Sequence, residues 1–138
     1  MVRRDTGTGA VLEQMVLPAL VKGGYSYRSQ IRIGERFGGG SHFVDIIAEK
    51  GDDRFLISMK WQQVSGTAEQ KVPFELICLE EALKTGDYQR AFIVLGGDGW
   101  KLRTFYVGGG LNEYLKGSGN VQILTLETFI ARANMGKL

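Results

Sequence analysis

One cysteine, one histidine and two prolines are all that this 138-residue chain holds of those types. A lone Cys78 excludes an intrachain disulfide and any metal site built on two cysteines. With His42 as the sole histidine, ligands for a His/Cys zinc site run out, and a serine triad would have to work through that one imidazole. Charge of one sign is missing as well. Lys plus Arg total 17 against 15 Asp plus Glu, so a polyanion would be held by a local patch and not by bulk charge. No apolar run reaches the roughly 18 residues of a membrane span. The basic start MVRRDTGTGA has no apolar signal core behind it. The expectation is a soluble, cytoplasmic protein with no membrane partner. What the chain does have is 20 glycines and an ordinary globular composition, 43% hydrophobic and 23% charged. Its length suits one domain over residues 1–138.

The hydrophobic pattern orders the elements. Thr8 can cap a first helix whose apolar positions Val11, Leu12, Met15, Val16 and Ala19 recur at helical spacing, with Pro18 expected to kink its last turn. From Tyr25 to Ile33 the residues alternate. Tyr25, Tyr27, Ile31 and Ile33 share one face, and Arg28, Gln30 and Arg32 make the other basic. A glycine-rich loop, Gly34 to Ser41, then leads to two apolar runs, Phe43–Ala48 and Phe55–Trp61, joined by a polar turn at Gly51-Asp52. They should pair antiparallel. A helix near Val72 to Thr85 carries Pro73 in its first turn and stops at Gly86. Ala91–Leu95 is a strand buried on both faces and parallel to a neighbour. Trp100 to Val107 is mixed, and a helix near Leu111–Lys116, a strand Val121–Leu124 and a helix Glu127–Asn134 close the chain. The fold class is α/β, a mixed central β-sheet flanked by helices.

Two charged residues interrupt the apolar strands. Asp45 lies among Phe43, Val44, Ile46 and Ile47, and Lys60 follows Phe55, Leu56 and Ile57. Burying such groups is costly unless they are paired or bind a metal. Closure of the hairpin at Gly51-Asp52 brings them to the same end of adjacent strands. Two readings follow from the pair alone: a strand-edge salt bridge with a snorkelling lysine, or a catalytic pair.

Glu13 on the first helix and Glu75, fifteen residues after Lys60, complete a layout of helix, strand carboxylate, hairpin, lysine and helix. This layout resembles the PD-(D/E)XK, or restriction-endonuclease-like, nuclease superfamily from Glu13 to about Gly97. Asp45 matches the strand aspartate, and Ser58-Met59-Lys60 stands where the (D/E)-x-K tripeptide belongs. Gly40-Ser41-His42-Phe43-Val44 offers no proline before Asp45, and Ser58 replaces the second acidic residue. The same Ser-x-Lys form occurs in a subset of restriction endonucleases that take the missing carboxylate from the following helix. By that resemblance Glu75 is the displaced glutamate, with Glu69 as its alternative. The resemblance also implies a restriction-endonuclease-like αβββαβ core and a catalytic set of Asp45, Lys60, Glu75 and Glu13.

The implied chemistry is Mg²⁺-dependent hydrolysis of DNA phosphodiesters, of restriction or homing type, with Mn²⁺ able to substitute. Mg²⁺ needs only one or two carboxylates beside waters and substrate phosphate. Asp45, Glu75 and the Met59 carbonyl would supply its protein ligands, and Lys60 would meet the scissile phosphate. Arg28, Arg32, Arg36 and His42 are candidates for DNA phosphate or base contacts, and Gln62 and Gln63 have amide geometry that suits adenine. For each, a solvated or loop-stabilising role is the competing reading. A homodimer or higher homo-oligomer is expected, because a duplex has two strands to cut. The alternatives are a Holliday-junction resolvase and a catalytically inactive DNA-binding module.

Overall fold

The computed structural model describes residues 12–138, so the Thr8 cap lies outside the described residues. A π-helical turn, Leu12–Val16, runs into helix α1, Leu17–Lys22. Pro18 accordingly sits at the start of an α-helix, where its missing N–H is not needed. The expected kink in a last turn becomes a wide turn ahead of the proline, which relieves the clash between its ring and the carbonyl four residues back.

The sheet has five strands in the order β1 (Ser26–Glu35), β2 (Ser41–Lys50), β3 (Asp53–Trp61), β4 (Arg90–Gly96) and β5 (Val121–Thr125). The first three are antiparallel neighbours, whereas β4 is parallel to β3 and β5 parallel to β4. The β2–β3 hairpin closes at Gly51-Asp52, with Lys50 opposite Asp53. The segment Gly34 to Ser41 belongs largely to a second hairpin. β1 extends to Glu35, and a tight turn closes through the Arg36 N–H to the Gly40 carbonyl at 2.7 Å.

Alternate residues of β3 and β4 feed two cores. Phe55, Ile57, Met59, Phe92 and Val94 face α1 and the last helix, α4 (Leu126–Asn134). Tyr25, Phe55, Phe92 and Phe129 form a chain of edge-to-face rings through that layer, with centroids 5.7–6.2 Å apart. Helices α1 and α4 meet so closely that a Cβ on Gly23 would lie 1.8 Å from the Ala133 carbonyl oxygen, which makes glycine obligatory there. The opposite face buries Leu56, Ile93 and Leu95 under helix α2 (Lys71–Leu83), through Val72, Leu76 and Leu79, with Trp100, Tyr106 and Leu111 extending the layer.

Two elements differ from expectation. Arg103–Val107 forms a short helix, α3, inside the segment read as mixed. The expected helix near Leu111–Lys116 is only a 3₁₀ turn, Gly110–Glu113. Glycines at 108, 109, 110, 117 and 119 leave too short a stretch to nucleate an α-helix, and Leu111 alone of it is buried. The rest is an α/β mixed sheet flanked by helices, in the αβββαβ order.

Candidate active site

The β2–β3 ladder stops at Ile46–Ile57, although both strands continue. The next pair would be Asp45 and Ser58. Instead the Asp45 side chain enters the gap, and its Oδ2 accepts the Met59 N–H at 2.6 Å. The strands therefore fork at the carboxylate. On the far side, Gln30 of β1 directs its amide nitrogen to Asp45 Oδ1 at 3.4 Å.

Pleating decides what else reaches the fork. Ser58 and Lys60 share the β3 face of Leu56, the face covered by α2. Glu75, one turn into α2, is buried there, and its Oε2 lies 3.2 Å from His42 Nε2. The Ser58 hydroxyl lies within hydrogen-bonding reach of the same carboxylate, and Lys60 is close enough to act on it by charge. Burial pushes the Glu75 carboxyl up. The His42 bond, the Lys60 ammonium and Ser58 outweigh that effect and hold it below its ordinary value. The place of the missing acidic residue at 58 is thus faced by a glutamate from the following helix.

His42 corrects a sequence expectation. Read as a contact to base or phosphate, or as a surface loop residue, it is only 1% exposed and is spent on Glu75. Burial of an imidazole beside a carboxylate satisfies both polar groups at once. Gln62 is likewise buried and out of reach of a groove. Its amide nitrogen donates to Glu69 Oε2 at 3.1 Å and to the Gly99 carbonyl at 2.8 Å, and its oxygen accepts the Ala68 N–H. Gln63, next along, is exposed.

Glu69 is engaged elsewhere. Its two oxygens accept the N–H groups of Lys101 and Leu102 at 2.9 and 2.8 Å. The Lys101 bond foremost, then those from Leu102 and Gln62, hold its carboxyl below the ordinary value against burial. Glu69 thus braces the loop before α3, and of the two glutamates it is Glu75 that lies at Ser58 and feels the Lys60 charge. For Glu13 the side chain lies outside the described residues.

The arginines separate along β1. Arg28 is exposed and lies 3.6 Å from Glu49, and Arg32 donates to Ser41 Oγ at 3.0 Å. Arg36, at the hairpin tip, comes round to the Cys78 side of α2, where its charge and those of Lys60 and Glu75 all act on the buried thiol. Burial is the largest influence there and pushes that thiol up. Gln30 and the engagement of His42 with Glu75 had no signal in the sequence, because both depend on register and on the placement of α2.

Among the described residues, no three His, Cys, Asp or Glu side chains close into a metal-binding group. The donor set is nonetheless the right kind for a hard cation, two carboxylates and a strand carbonyl, all oxygen. Such an ion keeps much of its water and needs one or two carboxylates.

A mixed five-stranded sheet in the αβββαβ order is consistent with a nuclease-type core, with Asp45 at its strand fork and Lys60 on the strand face that Glu75 lies against. The chain belongs to the PD-(D/E)XK nuclease superfamily: the model of that superfamily's domain matches residues 4–137. Nucleases of this superfamily generally use divalent metal ions and act on nucleic acid. A solved structure of a protein of unknown function, AF1548, aligns with 80% of this chain at 14% identity and a TM-score of 0.49. This chain spans about half of that protein, 54% of its length. No curated protein matches the sequence. Among the described residues, no helix is long and apolar enough to cross a membrane.

Proposed function

We propose that residues 1–138 form a Mg²⁺-dependent DNA endonuclease domain that hydrolyses phosphodiester bonds and makes double-strand cuts as a homodimer. What carries this reading is Glu75, buried at Ser58 and within reach of the Lys60 charge, beside the forked strand that holds Asp45. Asp45 and Glu75 would hold the cation, with Mn²⁺ as a substitute. Met59 would add its carbonyl: the N–H and C=O of one strand residue point to the same side, and its N–H is turned to Asp45. A bound divalent ion would offset charge on the phosphoryl oxygens and lower the pKa of an attacking water.

Lys60 lies on the face of Glu75 and would contact the scissile phosphate and orient that water. His42 and Ser58 hold Glu75 in place, and Glu75 in turn keeps a buried negative charge within electrostatic reach of the lysine. Arg36, Arg32 and Arg28 would follow the phosphate backbone away from the site. The test is cleavage of plasmid DNA with Mg²⁺ by wild type, Asp45→Asn and Lys60→Ala. Both variants should fold and leave the plasmid uncut. Wild-type turnover in Asp45→Asn would sink the assignment.

A further inference from the structure

We infer that Gln30 is the positioning residue of the Asp45 carboxylate, and that its unusual backbone serves to deliver its amide there; this rests on the reading of Asp45 as a metal ligand. Gln30 has φ of +54° and, among the described residues, is the only non-glycine with positive φ. Non-glycine residues that visit this region are mostly Asn, Asp or His, so a strand glutamine there is held against its preference.

The location is informative. Gln30 falls between the paired positions Ser29–Ile46 and Ile31–Val44, directly opposite Asp45. Both strands change faces at this step. Val44 and Ile47, three residues apart, pack in the same core, where a regular pleat would separate them. Tyr25 packs in the core under α1, whereas Ile31 and Ile33, an even number of residues away, lie against the core under α2. The sequence alternation had placed all three on one face. A left-handed residue in β1 lets that strand follow the half-turn in β2 that swings Asp45 out of the pleat and into the fork.

The amide completes the arrangement. Gln30 nitrogen is on Oδ1 and Met59 nitrogen is on Oδ2, so each carboxylate oxygen has a donor and the plane of the group is set. Gln30 itself is exposed, so packing does not account for its conformation. Strained backbone concentrates where surrounding structure fixes a functional geometry. Groups that orient metal ligands by hydrogen bonding also tune affinity for the ion.

The test is titration of the full chain with Mn²⁺ alone, by calorimetry, alongside thermal melting and Mn²⁺-dependent plasmid cleavage. Gln30→Gly removes the amide and accepts positive φ freely. It should melt at or above the wild-type temperature and bind Mn²⁺ about tenfold or more weakly. Saturating Mn²⁺ should recover most of its turnover. Gln30→Asn tolerates the backbone and keeps a shorter amide, so its affinity should fall between those of wild type and Gln30→Gly. Wild-type Mn²⁺ affinity in Gln30→Gly overturns the proposal, as does a loss that only tracks a lowered melting temperature. An Asn variant that binds more weakly than the Gly variant overturns the part given to the amide. Asp45→Asn separates the two levels of inference. If it binds Mn²⁺ as wild type does, the metal reading of Asp45 fails. If it loses binding while Gln30→Gly does not, only the role of Gln30 fails.

Discussion

Glu75 shows how one buried acid can be kept charged. Its environment withholds water, yet it supplies an imidazole, a hydroxyl and an ammonium group. With the folded-state pKa below the ordinary 4.5, the stability this group contributes is fully present above about pH 4.5 and is lost as pH falls through the lower folded value. The difference in melting temperature between wild type and Glu75→Gln should therefore shrink as pH falls below about 4.5. A difference that ignores pH below 4.5 would contradict the depressed pKa. For activity, Glu75→Ala should abolish Mg²⁺-dependent cleavage, and adding Ser58→Glu to it should restore part by returning a carboxylate to the β3 position. Normal cutting by Glu75→Ala would refute the displaced-glutamate assignment.

Between elements, the two glutamates near α2 divide their tasks by what the neighbouring loops need. The backbone N–H groups of Lys101 and Leu102 precede α3 and have Glu69 as their acceptor, while Tyr106 donates its hydroxyl to the Glu69 carbonyl at 2.7 Å. Glu69→Ala should accordingly lower the melting temperature and leave Mn²⁺ affinity unchanged, the reverse of the pattern expected for Asp45→Asn. Loss of metal affinity without loss of stability would show that Glu69 belongs to the site after all. The β1–β2 hairpin carries the arginines along an edge strand. If Arg28, Arg32 and Arg36 each neutralise a phosphate, the log–log salt slope of DNA binding should fall by about one for each Ala replacement. An unchanged slope in all three would leave them as a solvated face.

At the scale of the whole molecule, the sheet is stabilised by apolar layers on both faces. Both layers are built from the chain's own apolar side chains. Chelation with EDTA should stop cleavage while leaving the circular dichroism spectrum and melting temperature of the metal-free protein in place. Adding Mg²⁺ at about a hundredfold over its dissociation constant should stabilise the fold by roughly 2.7 kcal/mol. Unfolding on chelation would show that the metal is structural and that the two cores do not suffice.

Much of this architecture is legible in the residues alone. Apolar runs punctuated by Gly51-Asp52 set the hairpin, the unbroken Ala91–Leu95 run marked a parallel strand buried on both sides, and Asp45 and Lys60 stood out because charge in such strands demands a reason. These are local matters of period and polarity. The tail departs from its helical pattern because its glycines confine it to one 3₁₀ turn. The even spacing of Tyr25, Ile31 and Ile33 hid a change of face, since periodicity assumes a regular backbone and Gln30 breaks it. Only the packing of α2 onto β3 could assign Glu75 to Ser58 and Lys60, turn His42 inward and commit Glu69 and Gln62 to a loop. Sequence by itself determined which residues were chemically conspicuous and in which elements they lie. The tertiary structure alone decided which of them meet, because contacts across a sheet and a helix depend on register and docking that spacing along the chain does not encode.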